Sequence, residues 1–198
     1  VLRMNDPKNV VKNDGLGPDE LNTNPRMLIV AFADKATKKY SSALVNHTLI
    51  PRHTNPVMLD PLEDVAIVKG TLQVSLDMFM SAGSWYTSRT KFIFRYQDKC
   101  FRLIGYDSKE TKRNTGETSA VSINYLTKKM KTTKGTIQSD QEEVSWKGCA
   151  SRSFSVWTQS VTGWISALRI ETQECRTNGV IFPSVRAAFT RILTCSRG

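Results

Sequence analysis

The sequence predicts a mainly β protein: an antiparallel meander of about seven to nine strands in one domain, with one or two helices drawn at the C-terminal end. Three observations predict it. Short apolar or alternating runs recur along the chain, separated by turn signals. Glycine or polar residues stand where tight hairpin turns need them. Up to Trp146 the strand-like runs follow one another through short turns, with no amphipathic crossover of the kind a parallel sheet requires.

In order, the opening VLRMNDP reads as the end of a strand, which implies a leader and a first strand upstream of Val1. NDPKNVVKNDGLGPDELNTNPR (5–26) is dense in Asn, Asp, Gly and Pro and predicts a long turn-rich loop. MLIVAFA (27–33) predicts a buried central strand, DKATKKY a polar turn, and SSALVNHTLI (41–50) the returning strand. A proline-rich loop follows over 51–64. VAIVKGTLQVSLDMF gives a hairpin around Lys69-Gly70, where glycine supplies a positive φ.

GSWYTSRTKFIFRYQDKCFRLIGYD (83–107) is the next hairpin, turning at Gln97-Asp98-Lys99. Phe92, Phe94 and Tyr96 share one face and Lys91, Ile93 and Arg95 the other; beyond the turn Phe101 and Leu103 lie opposite Cys100, Arg102 and Ile104. Basic and aromatic residues side by side suit RNA stacking, but the glycines of an RNA-recognition sheet are missing, so this face is read as core. SAVSINYLTKKMKTTKGTIQS is a third hairpin, and EEVSW adds a short strand.

The formal net charge is +10. Residues 1–147 hold 22 Lys+Arg against 16 Asp+Glu, and residues 148–198 hold 6 against 2, so the excess is spread along the chain. The densest cluster, LTKKMKTTKG (126–135), is read as a solvated turn. Nucleic acid is therefore a disfavoured partner. No apolar run is long enough to span a membrane.

Catalytic and metal patterns are scarce. Cys100, Cys149, Cys175 and Cys195 match no zinc spacing; Cys100 reads as a small buried apolar residue, and no disulfide is assumed. Of His47 and His53, the second, in PRHTNP, is the better functional candidate. Asp14, Asp19 and Glu20 carry only fragments of a calcium loop and read as an Asx-rich turn. Glu142 and Glu143 adjoin, so a strand would point them to opposite faces. No cofactor is expected. Trp85 and Tyr86, after the flexible SAGS, are candidate partner anchors, although burial of Trp85 in the core is the expected alternative.

Residues 148–198 differ in kind: lysine disappears while arginine continues, and Ser, Thr and Cys rise. SVWTQSVTGWISALRI and SVRAAFTRILTC can be drawn as amphipathic helices covering the sheet, with Val185, Ala188, Phe189, Ile192 and Leu193 on one face. The competing reading is translation out of frame. The domain reading is thus a β domain over 1–147 followed by a tail over 148–198.

The stretches VLRMNDPKNVVKNDGLGPDELNTNPRMLIVAF, IPRHTNP, GSWYTS, FIFRYQDKCFRLIGYD and SINYLTKKMKTTKG resemble a group of uncharacterised exported β-rich proteins of Gram-negative bacteria, over residues 1–147. The resemblance implies a periplasmic or envelope location and brings no functional residues with it. The expectation is a non-catalytic exported binding or envelope-associated module with a protein or envelope partner, Trp85, Tyr86 and His53 being the candidate contact residues. A basic nucleic-acid-binding protein is the first alternative. A small hydrolase built around His53 and a nearby carboxylate and nucleophile is the second.

Overall fold

The computed structural model describes residues 1–148 together with Val156 and Trp157. Strands β1 (Leu2–Arg3), β2 (Val10–Lys12), β3 (Glu20–Asn22), β4 (Arg26–Ala33) and β5 (Tyr40–Asn46) come first, with a short 3-10 turn at Pro7–Asn9. Then follow β6 (Leu62–Val68), β7 (Thr71–Met78), β8 (Tyr86–Gln97), β9 (Cys100–Lys112), β10 (Glu117–Asn124), β11 (Lys129–Thr136), β12 (Ser139–Gly148) and β13 (Val156–Trp157). β6 to β12 pair in chain order, each neighbour antiparallel, so the meander read from the sequence is the main sheet; β13 pairs with β9. A three-stranded sheet, β1-β4-β5, and the small β2–β3 hairpin complete the fold.

The turns follow from local chemistry. Lys69 (φ 49°) and Gly70 (φ 74°) both occupy the left-handed region, which matches a two-residue turn to the strand twist. Asp98 (φ 52°) and Lys99 (φ 59°) do the same without glycine. That loop is therefore two residues rather than the three expected, and Gln97 already pairs with Cys100. At the β10–β11 turn Asn124 Oδ1 accepts hydrogen bonds from the backbone of Leu126 and Thr127, both at 3.0 Å.

Side-chain alternation then assigns the faces. Leu72, Val74 and Leu76 on β7, Phe92 and Phe94 on β8, and Phe101 and Leu103 on β9 turn inward and pack with Leu28 and Leu44 of the small sheet. Asn46 Oδ1 accepts from the backbone N–H groups of Thr48 and Leu49, at 3.0 and 2.7 Å, and this bend delivers Leu49 and Ile50 into the same cluster. Phe94 is 1% exposed and Val74 fully buried. Tyr96 remains 39% exposed, its ring edge-on to Phe32 at 4.7 Å between centroids. The KFIFRY face is thus core at Phe92 and Phe94 and a core margin at Tyr96.

Polar contacts fasten the N-terminal segment. Asn24, 3% exposed, receives the N–H of Asp6 and the side-chain amide of Asn9 on Oδ1, and donates Nδ2 to Asp6 O and Asn22 Oδ1. Gly17 (φ 109°) lies so near the 51–61 loop that a Cβ there would stand 2.4 Å from Pro56 O. Asp60 on that loop accepts both arms of the Arg26 guanidinium and a 3.0 Å bond from Arg3, tying the loop to β4 and β1. Burial is the largest influence on the Asp60 carboxyl and opposes its charge. The Arg26 hydrogen bonds, the Leu62 N–H and the charges of Arg26 and His53 outweigh burial and hold it below the usual carboxylate range.

Several sequence expectations are corrected. The 5–26 loop contains the β2–β3 hairpin, because Val10–Lys12 can pair with Glu20–Asn22 across the intervening turn. MLIVAFA is central in its sheet but buried on one side only: Leu28 is 1% exposed and Ile29 37%, since no other strand among the described residues layers over the outer face of this three-stranded sheet. EEVSW is part of a ten-residue strand. Cys100 is buried, as read, and is disulfide-bonded, a state the sequence reading left open. Of the stretch drawn as a first C-terminal helix, Val156 and Trp157 are strand; the rest of it, and the second helix, lie outside the described residues, as do Cys149, Cys175 and Cys195.

Two outcomes are expected. Phe94→Ala should cost about 3–5 kcal/mol in denaturant unfolding and Tyr96→Ala about 1–2 kcal/mol, because only the first leaves a sealed cavity. Asp60→Asn should cost about 2 kcal/mol at neutral pH, less than a fully buried pair because Asp60 is 42% exposed. The folded carboxyl titrates below its ordinary value of 3.8, so this contribution is complete above that pH and is lost as pH falls through the folded value. The melting-temperature gap between wild type and Asp60→Asn should therefore be constant from pH 8 to about pH 5 and close below about pH 4; a gap independent of pH would contradict the assignment.

Candidate functional site

With the inner face of the main sheet consumed by the core, alternation leaves a second face. Cross-strand partners project to the same side. Lys91, Asp107, Ser122, Lys131 and Trp146 therefore form one row across β8–β12, and Arg89, Lys109, Ala120, Thr133 and Val144 the next. The first four residues of each row line a shallow depression of about 410 Å³, together with Thr118 and Glu142. Four cations face two anions there.

The charges are unevenly engaged. Arg89 pairs with Glu63 at 2.7 Å. Ser122 Oγ donates to Asp107 Oδ1 at 2.6 Å, which fixes that carboxylate beside Lys91, its cross-strand neighbour. Among the described residues no ion pair engages Lys91, Lys109 or Lys131. Lys91 and Lys131 stand three strand spacings apart, about 14 Å. On β12 the same face ends in Val144 and Trp146, 45% and 63% exposed. The surface thus offers separated ammonium groups, hydroxyls, two carboxylates and an aromatic edge.

Trp85 and Tyr86 stand apart from this face's centre. Trp85 is 63% exposed and Tyr86 49%, so the expected burial of Trp85 is overturned. The cause is Arg113. Its guanidinium donates to Met80 O at 2.6 Å and Ser84 O at 2.5 Å and lies over the Phe79 ring at 4.6 Å, while its N–H donates to Trp85 O at 2.7 Å. Arg113 folds the SAGS loop onto itself and leaves both aromatics in solvent, as a partner anchor needs.

His53 Nε2 donates to Met58 O at 2.6 Å, since a carbonyl can only accept. Asp60, the carboxylate close enough to feel His53, is occupied by Arg26 and Arg3. The structure therefore brings His53 to a carboxylate, but that carboxylate serves an arginine clamp, and no hydrogen bond joins His53 to a hydroxyl or thiol among the described residues. His47 is exposed. Asp14, Asp19 and Glu20 surround a loop held by Asn13, whose amide donates to Leu16 O at 3.1 Å and Pro18 O at 3.0 Å. Among the described residues no group of three or more His, Cys, Asp or Glu is arranged to hold a metal ion.

Sequence reasoning missed the lysine rows and Arg113. The first had a signal: β9 from Tyr106 and β10–β12 alternate polar residues on both faces, which marks strands extending beyond the core. Arg113, in TKRNTG, had none, because its partners are backbone carbonyls about thirty residues away.

No helix among the described residues is long and apolar enough to cross a membrane. No family model, curated protein or solved structure matches the chain.

Proposed function

We propose that this chain is a non-catalytic binding module of the bacterial envelope, and that the polar depression across β8–β11 is its site. The observation that carries the reading is the trio Lys91, Lys109 and Lys131, which among the described residues have no ion-pair partner and face one open sheet surface. Three free ammonium groups favour a ligand bearing several negative charges. Asp107 and Glu142 disfavour a uniform polyanion such as nucleic acid by like-charge repulsion, and accept hydrogen bonds from hydroxyls. Thr118 and Thr133 add donors, and Trp146 gives an apolar ring at the margin. An acidic glycan combines carboxylates, hydroxyls and apolar ring faces and fits all of these.

The envelope location rests on the resemblance of residues 1–147 to exported proteins and is supported by the disulfide at Cys100, because such bonds persist in oxidising compartments. In a native bacterial host the protein should fractionate with the periplasm, and Cys100 should react with maleimide only after reduction. Recovery in the cytoplasm with Cys100 freely alkylated would overturn the export reading.

The ligand reading is tested by calorimetry with three probes: polygalacturonate (carboxylates and hydroxyls), dextran (hydroxyls alone) and polyglutamate (carboxylates alone). Polygalacturonate should bind tightest and weaken with salt. Lys91→Glu and Lys131→Glu should each reduce affinity about tenfold. Equal binding of polyglutamate, or affinity unchanged in the double variant, would remove the site.

A further inference from the structure

β12 is the free edge of the main sheet, and all ten of its residues are exposed. One side of its backbone bonds to β11; the other, among the described residues, pairs with no strand, and its N–H and C=O groups act as a template for another. Natural edges are blunted by proline, bulges, shortness or charged side chains. β12 has no proline, and its irregular pairing is confined to the Ser139 end; from Glu143 to Gly148 the register with β11 is unbroken. Its protection is charge, and because both signs are present an occupant of matching pattern can pair them.

The charge pattern of the edge identifies one. With a two-fold axis through Ser145, two β12 strands pair antiparallel so that Glu143 of each copy lies opposite Lys147 of the other. Val144 of each copy then lies opposite Trp146 of the other, joining two side chains now 45% and 63% exposed into cross-strand apolar pairs. The opposite edge, β6 (LEDVAIV), contains no lysine or arginine, so no register of β6 against itself gives an opposite-charge pair. The complementarity belongs to β12 alone among the sheet's two edges.

We infer that β12 is a homodimerisation edge, pairing Glu143–Lys147 with the same segment of a second copy to make one sheet continuous across the axis. The pairing preserves side-chain parity, so the lysine-lined depressions of both copies open on the same side. A single strand seam buries little area, so association is expected only in the micromolar range or weaker.

Sedimentation of the full chain from about 5 to 500 µM tests this. The expected result is a monomer–dimer equilibrium. Lys147→Glu, which sets a second carboxylate opposite Glu143 across the seam, should weaken it at least tenfold, and the charge swap Glu143→Lys with Lys147→Glu should restore it. Lys147 lies on an exposed strand, so near-ultraviolet circular dichroism should confirm an unchanged fold in each variant. A monomer at every concentration would leave the edge for another protein's strand and overturn the inference. So would species larger than a dimer, a dimer indifferent to Lys147→Glu, or failure of the swap to restore association.

Discussion

The β8–β9 ladder, twelve residues of one strand against thirteen of the next, carries both halves of this molecule. Its inner face supplies Phe92, Phe94, Phe101 and Leu103 to the core. Its outer face supplies Arg89, Lys91, Asp107 and Lys109 to the depression. Because strand alternation couples the two, a one-residue slip of this ladder would bury lysines and expose phenylalanines together. The cost of burying unpaired charge makes that slip prohibitive, so the core fixes the site's register. The register shift between Ile93 and Phe94 is the single interruption, and it falls between the core-facing turn end and the charged end.

The smaller sheet is held differently. Its apolar contribution to the core is short, and the N-terminal segment is secured by polar groups: Asn24 with its four side-chain hydrogen bonds and the Arg26–Asp60–Arg3 clamp. Hydrogen bonds of this kind contribute modestly when made and cost more when left open. That asymmetry makes the N-terminal segment specific in position. His53 stands beside this clamp and is fastened to the 51–61 loop by its bond to Met58.

The meander was legible because hairpins announce themselves locally: Lys69-Gly70 between alternating runs, Asn124 before a lysine-rich turn. What depends on distant partners was not. Val10–Lys12 is too short to stand out as strand, yet Glu20–Asn22 lies in reach. MLIVAFA has the composition of a strand buried on both faces, and only the small size of its sheet leaves Ile29 and Phe32 partly in solvent. Trp85 carries the burial propensity of its type, but Arg113 fixes the loop so that the ring points out. The site was invisible for a related reason. Lys91, Lys109 and Lys131 follow one another at intervals of eighteen and twenty-two residues, and only the ladder registers bring them onto one surface.

From β6 to β12 strand order in the main sheet equals chain order. Every addition therefore closes a short loop, and the sheet can grow in one direction as the chain emerges, from β6 towards β12. The apolar contacts concentrate on β7–β9, while β10 to β12 are held mainly by hydrogen bonding to their neighbours, with little core of their own. The far strands consequently borrow their order from the near ones. Amide protection should decline strand by strand from β9 to β12, so the Lys131 side of the depression should adapt more readily than the Lys91 and Lys109 side, which the core holds.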